Sequence, residues 1–309
     1  TGDGDNLVIA GFGADKVNFG ITGGSGFDII FGDSGQADAN GTGILTSVKS
    51  IDLTLGGDDT LNAGAGGNVV FGGFGADTLT SGTVAGTRDI LVGDNGQVTL
   101  TSDANNFVTL FESTDLDDTT GGDDSITGSD ANSYVLGGAN NDTITTGTGQ
   151  DFIFGDHGEM VFDATTGDLV SAVSKLEAFG SDTTTGDVIG AGSGGNVVFG
   201  GQGKDTITSS TAAGSRDILV GDSGEVLLTT NVVTSFKSTD VGDATGGIDS
   251  ITGSNATTYA LGGTGADVIT TGSGGDYILG DHGTITFNDG TGGSTLGSLK
   301  QAISTFTGD

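Results

Sequence analysis

Aspartate is the side chain whose type and spacing could do chemistry here. The chain has 309 residues, and 37 of its 41 acidic side chains are Asp. In Gly72-Gly73-Phe74-Gly75-Ala76-Asp77-Thr78-Leu79-Thr80, the Asp is sixth in the pattern G-G-x-G-x-D-x-U-x, where U is a large apolar residue. The pattern is complete again at 23–31, 200–208 and 262–270, with near copies between. Its sixth-position acids are Asp15, Asp28, Asp59, Asp77, Asp89, Asp124 and Asp142, then Asp151, Asp187, Asp205, Asp217, Asp249, Asp267 and Asp276. A single Asp usually does no more than stabilise a turn; fourteen at one phase of a repeat call for another explanation. Asp59 and Asp77, Asp124 and Asp142, Asp187 and Asp205, and Asp249 and Asp267 are each 18 residues apart. If those spacings stack the carboxylates, they repel unless a cation lies between them. A hard divalent ion with several oxygen ligands suits that role.

The elements that would position these acids follow from the same nine residues. In x-U-x one apolar side chain points inward and its neighbours outward, the period of a β-strand. The Gly positions admit positive φ and close backbone approach. Strand plus turn takes nine residues, so a closed coil takes two nonapeptides. A longer period overlies this one. Residues 68–100 recur at 196–228, and 121–162 at 246–287. A Gly-Asp-x-Gly tetrapeptide starts at Gly32, Gly93, Gly155, Gly221 and Gly280, marking five units of about 62 residues. The sequence therefore predicts an all-β fold: one continuous parallel β-roll, or β-solenoid, of 18-residue coils. Its approximate units are 1–58, 59–123, 124–186, 187–248 and 249–309. Counting the tetrapeptide as the start of a degenerate fifth nonapeptide gives three coils per unit. That makes about fifteen coils and a rod of about 70 Å at ~4.8 Å per coil.

The nonapeptide resembles that of the repeats-in-toxin (RTX) family of calcium-binding β-rolls. The resemblance covers the chain except for an excursion of about 20 residues per unit. It implies calcium ions, on the order of ten, enclosed by Asp side chains and turn carbonyls of successive coils. Carried over, the bridging pairs are the four above. On the opposite edge they are Asn6/Asp28, Asn68/Asp89, Asn132/Asp151 and Asn196/Asp217, where Asn replaces one acid. Thr257 replaces it opposite Asp276, so that site is expected to be weakest. Asp33, Asp94, Asp156, Asp222 and Asp281 of the tetrapeptides either add a carboxylate from the other side of a site or stabilise a turn.

The two faces of the roll differ. Asp77-Thr78-Leu79-Thr80, Asp142-Thr143-Ile144-Thr145 and their equivalents put hydroxyls outward. Val69-Val70-Phe71, Ile90-Leu91-Val92, Phe152-Ile153-Phe154 and Tyr277-Ile278-Leu279 are apolar on both sides and need cover on both. Either the excursions or another chain covers that face, and the excursions are favoured because they recur once per unit. Leu169, Val173, Leu176 and Phe179 have helix-like spacing, as do Leu296, Leu299, Ile303 and Phe306. Phe107-Val108-Thr109-Leu110-Phe111 looks like a strand.

Composition excludes much else. With 63 Gly and no Pro, neither a helical bundle, a Rossmann-like sheet nor collagen is tenable. No Cys means no disulfide and no thiolate metal site. A formal charge of -33 has the wrong sign for nucleic acid. No apolar run approaches the ~18 residues of a membrane span. His157 and His282 share a variable turn slot, no Ser lies in a nucleophile-elbow context, and no catalytic set is expected. Arg88 and Arg216, equivalent by repeat, are expected to neutralise nearby Asp.

Such a charge implies a chain disordered without metal and folded with it. The function expected is a calcium-binding structural or adhesive segment of a large secreted or cell-surface bacterial protein. Thr1–Asn6 aligns with Ala191–Asn196 and Asp309 with Asp187, which reads as an excerpt of a continuing array. Self-association is expected end to end, or laterally through the apolar face. The alternatives are the calcium-binding tail of a secreted enzyme or toxin and, on the Thr ladder, an ice-binding surface.

Overall fold

The computed structural model describes residues 4–19, 26–82, 87–103, 107–116, 120–175, 185–210, 215–240, 246–288 and 298–305. All helical or extended elements among them are β-strands. They form three sheets. Val69–Phe71, Arg88–Val92, Asn132–Leu136 and Phe152–Phe154 belong to a parallel sheet of ten strands, the apolar sheet. Thr78–Gly82, Ser125–Thr127 and Thr143–Thr145 belong to a parallel sheet of nine, the hydroxyl sheet. The chain alternates between these two, as wrapping requires.

The third sheet is antiparallel and built from five hairpins. They pair Gly35–Ala39 with Leu45–Ser50, Gly96–Leu100 with Val108–Ser113, and Gly158–Phe162 with Leu169–Ser174. The last two pair Gly224–Thr229 with Val232–Ser238, and Gly283–Phe287 with Leu299–Ser304. Each first strand belongs to the degenerate nonapeptide. The predicted third coil per unit is therefore absent, because that strand folds back instead of wrapping. In Gly93–Thr101 the sixth position is Val98, not Asp, so the acid that joins one rung to the next is missing, and Val98 packs into a core instead. Two coils per unit give about ten rungs, a stack of about 45 Å rather than 70 Å.

Two cores follow from the double-sided apolar strands. Inside the roll, Ile30, Val70, Leu91 and Ile153 face Leu61, Leu79, Ile126 and Ile144 of the hydroxyl sheet. On the other side Phe31, Phe71, Phe154 and Phe199 pack under Val98, Phe111, Met160 and Phe236 of the hairpins. Burying each such side chain stabilises the fold by about 1.5–3 kcal/mol. Parallel in-register pairing stacks like rings: Phe31 on Phe71 at 4.8 Å, Phe154 on Phe199 at 4.8 Å and Tyr259 on Tyr277 at 5.0 Å. The excursions thus cover the apolar face, as expected, and that face is internal rather than a surface for lateral association.

The helix-like spacing has a different origin. Each hairpin carries a register shift, and in the third it lies between Val161 and Phe162. Val161 opposes Ser171 and Phe162 opposes Leu169, so Val170 is an extra, exposed residue. The bulge turns a strand period of two into a spacing of three, and Leu169 and Ala172 both reach the core. Leu299–Ser304 repeats this, with a shift between Thr286 and Phe287. Leu176, Phe179, Leu296 and Phe306 lie outside the described residues.

Candidate metal centre

Each roll has two turn edges, and the repeat places an Asp or its replacement on both. On the edge leading from the apolar to the hydroxyl sheet, the acid stands just before a hydroxyl-sheet strand. A turn of G-G-x-G type delivers it there. At Gly73 and Gly75 the backbone has φ of 117°, a region L residues rarely adopt. The result is an unbroken column: Asp15, Asp59, Asp77, Asp124, Asp142, Asp187, Asp205, Asp249 and Asp267.

One carboxylate oxygen of each member locks the rungs together. The Oδ1 of Asp59 accepts the Asp15 N–H at 2.6 Å, and that of Asp77 accepts the Asp59 N–H at 2.7 Å. The same bond joins Asp77 to Asp124 at 2.7 Å, Asp124 to Asp142 at 2.8 Å and Asp142 to Asp187 at 2.7 Å. It continues to Asp205 at 2.7 Å, Asp249 at 2.8 Å and Asp267 at 2.9 Å. The four pairs predicted from the 18-residue spacing are neighbours. So are Asp15/Asp59, Asp77/Asp124, Asp142/Asp187 and Asp205/Asp249, which sequence reasoning separated by an imagined third coil.

The other oxygen has a different fate. Oδ2 of Asp59, Asp77, Asp124, Asp142, Asp205, Asp249 and Asp267 is buried with no hydrogen-bond partner. Each lies against the Gly that ends an apolar-sheet strand, beside a turn carbonyl. A Cβ on Gly72 would overlap Asp77 Oδ2 and the Gly93 carbonyl, and one on Gly137 would overlap Asp142 Oδ2 and the Gly155 carbonyl. The same pairing recurs at Gly32, Gly93, Gly155, Gly200, Gly221 and Gly262. Gly is required there because oxygens of two rungs converge on its Cα.

Burial is the main cause of a strong upward shift in these acids, reinforced by neighbouring carboxylates. Asp77 is pushed up to about 9, Asp249 to about 7 and Asp59 to about 6. Asp124, Asp142 and Asp205 lie well above the usual carboxylate range, and Asp267 is also raised. The tetrapeptide acids join the same edge. Asp33 accepts the Phe74 N–H at 2.7 Å and Asp94 accepts the Ala139 N–H at 2.5 Å. Asp156 and Asp222 take those of Gln202 and Thr264. Burial raises Asp33 to about 7 and Asp222 to about 8, and carboxylates of the column add to both shifts. Four of the five thus support turns, and their carboxylates lie on the same edge as the Asp column. Asp281 is exposed at the open end.

A column of buried carboxylate oxygens without hydrogen-bond partners fits a hard cation. Calcium favours six to eight oxygen ligands, including backbone carbonyls. Among the described residues no three acids or imidazoles form a compact metal-binding group. The donors that would hold calcium are therefore Asp Oδ2 atoms together with turn carbonyls such as those of Gly72, Gly93 and Gly137.

The opposite edge leads from the hydroxyl to the apolar sheet. Its rungs are Asn6, Asp28, Asn68, Asp89, Ser133, Asp151, Asn196, Asp217, Thr258 and Asp276. Asn6 donates its N–H to Asp28 at 2.9 Å, Asn68 to Asp89 at 3.1 Å and Asn196 to Asp217 at 3.1 Å. Two expected members are corrected. Asn132 pairs in register with Arg88 and is exposed; Ser133 is the residue whose N–H reaches Asp151, at 2.8 Å. Thr257 pairs with Arg216, and Thr258 donates to Asp276 at 2.9 Å. The triplets Tyr134-Val135-Leu136 and Tyr259-Ala260-Leu261 fix the register one residue later than the Asn suggested. Alignment of the apolar triplets would have found this.

Among the described residues Arg88 forms no ion pair with an acid, contrary to the expectation that it neutralises one. Its guanidinium lies 5.0 Å from the Tyr134 ring centre and 5.1 Å from that of Phe162, and donates to the Gly167 carbonyl at 3.1 Å. His157 and His282 are buried turn residues whose carbonyls accept N–H groups of Lys175 and Thr305. No helix among the described residues is long and apolar enough to cross a membrane.

A family model of the RTX calcium-binding nonapeptide repeat matches residues 21–36, 54–87, 118–158, 182–215, 190–228 and 258–284. No curated protein and no solved structure matches the chain. The matched segments include the stacked Asp turns and cover more than half of the sequence. The chain belongs to the RTX calcium-binding repeat family.

Proposed function

We propose that this chain is a calcium-stiffened structural or adhesive segment of a large secreted or cell-surface bacterial protein, with no catalytic centre of its own. The supporting observation is the stacked Asp column, in which Oδ2 of Asp59, Asp77, Asp124, Asp142, Asp205, Asp249 and Asp267 is buried without a hydrogen-bond partner. With a charge of -33, the chain gains most from folding where divalent cations are abundant. Extracellular calcium modules work at ~10⁻⁴–10⁻³ M, which suits a polymer that stiffens after export.

The terminal rungs leave Leu7, Ile9 and Phe12 exposed at one end and Val268 and Ile278 at the other. Rungs of the same kind from a second copy would extend both parallel sheets, so end-to-end association belongs to this reading.

Circular dichroism and small-angle scattering test it. The chelated chain is expected to be an expanded coil that collapses to β structure at millimolar calcium. A compact β fold unchanged by exhaustive chelation would contradict the proposal. Sedimentation in calcium tests the association, and a monomer at every concentration would remove that part alone.

A further inference from the structure

We infer that calcium occupies only one edge of the roll, the Asp15-to-Asp267 column, and that the opposite edge, where acids alternate with neutral rungs, holds none. The inference rests on the calcium-binding reading and concerns where the ions sit.

Both edges use the N–H to Oδ1 bond where the next rung is Asp or Asn, and at Ser133 and Thr258 the opposite edge has a hydroxyl instead, so the edges are compared by what the remaining side-chain oxygens meet. In the Asp column the remaining oxygen faces other oxygens. On the opposite edge protein groups complete the contacts of the Asn6/Asp28, Asn68/Asp89 and Asn196/Asp217 rungs, while Ser133 Oγ and Thr258 Oγ1 are neutral hydroxyls buried without a partner. Asn68 Nδ2 donates to the Gly64 carbonyl at 3.2 Å and Asn196 Nδ2 to the Gly192 carbonyl at 2.9 Å. Asp89 Oδ2 accepts from Ser129 Oγ at 2.7 Å, and Asp217 Oδ2 from Ser209 Oγ at 2.7 Å and Ser254 Oγ at 3.2 Å. Asn6 Nδ2 donates to Asp28 at 2.7 Å.

Charge separates the edges as well. Every neighbour in the Asp column is another carboxylate. On the opposite edge each acid lies between neutral rungs: Asp89 between Asn68 and Ser133, Asp151 between Ser133 and Asn196, Asp217 between Asn196 and Thr258. Asp151 Oδ2 is buried and has no hydrogen-bond partner. The rungs on either side of it are neutral, so a divalent ion between adjacent rungs there would have one rung carboxylate instead of two.

Stoichiometry discriminates. The nine stacked rungs of the Asp column leave eight intervals, and the ten of the opposite edge leave nine. Calcium titration of the whole chain, followed by native mass spectrometry, is expected to saturate at about eight ions. Asp142→Asn should lower that number by one or two ions, and Asp89→Asn should leave it unchanged. Asp267→Asn, near the open end, repeats the first substitution where folding is least at risk. Saturation near seventeen ions, or an equal loss from Asp89→Asn and Asp267→Asn, would overturn the one-edged assignment while leaving calcium binding intact. No bound calcium in the unaltered chain would overturn both.

Discussion

The two turn edges are built from one repeat on one backbone, yet they solve the same electrostatic problem in opposite ways. Both must cap a stack of buried polar side chains at the ~4.8 Å spacing of paired strands. The edge entering the apolar sheet alternates acids with Asn, Ser and Thr and brings hydroxyl donors from the turns. Its charges are diluted and mostly hydrogen-bonded within the protein. The edge entering the hydroxyl sheet keeps an acid at every rung and leaves one oxygen of most of them without a donor. The difference teaches that Asp at a repeat position is not by itself a metal site. What marks the site is the missing donor and a second carboxylate on the next rung.

Substitution of the edge glycines should give the largest contrast. Gly137→Ala forces a Cβ into Asp142 Oδ2 and the Gly155 carbonyl. Gly195→Ala meets the Arg216 carbonyl at 3.0 Å, which small shifts relieve. In calcium, thermal denaturation should show Gly137→Ala destabilised by about 3 kcal/mol or more, and Gly195→Ala by less than about 1 kcal/mol. Equal losses would show that Asp142 Oδ2 and the Gly155 carbonyl yield to the added methyl.

The response to pH should come next. Free of metal, the column's acids have folded pKa values raised above the unfolded value of 3.8, to about 6 for Asp59, 7 for Asp249 and 9 for Asp77. The folded state then binds more protons than the unfolded one. The stability this confers is fully present below 3.8 and is lost as pH rises through about 6 to 9. In chelator, the folded fraction should therefore rise on going from pH 8 to pH 5. In saturating calcium the trend should reverse, because protons compete with the ion. Circular dichroism in chelator and urea denaturation in calcium, each at the two pH values, check both signs.

A smaller effect is expected from the edge where acids alternate with neutral rungs. Ser129→Ala removes a donor to Asp89 Oδ2 and should cost about 1–3 kcal/mol in calcium, with the number of bound ions unchanged. A loss of bound calcium in the variant would show the hydroxyl serving a metal site. The smallest effect is expected where this edge meets a hairpin. Arg88→Met should weaken the hold on Gly167 and the Tyr134 and Phe162 rings by about 0.5–1 kcal/mol, read from the urea midpoint.

Much of this was legible in the residues. The Asp phase and the x-U-x triplets gave the parallel wrap, the stacked acids and the doubly buried sheet. The hairpins were not: Leu169 and Val173 are spaced as on a helix, but the bulge at Val170 puts Ala172 on the core side with Leu169 and leaves Val173 between Glu159 and Glu225. The strand after each Gly-Asp-x-Gly copies the nonapeptide in everything except its sixth residue, so Val98 reads as one more coil until its hairpin partner Phe111 is seen. That mistake hid contacts such as Asp77 to Asp124, which lie on adjacent rungs although a hairpin separates them in sequence. Ser133 and Thr258 escaped notice because Asn132 looked like the natural substitute for Asp. Which edge lacks donors depends on Ser129 and Ser209 reaching Asp89 and Asp217 through the fold, and no periodicity announces that.

Anomalous diffraction from crystals grown in calcium tests the central claim most directly. The account predicts a single file of peaks beside Asp59, Asp77, Asp124, Asp142 and their stacked equivalents. A map without peaks there, or with peaks of equal strength beside Asp89 and Asp217, would contradict it.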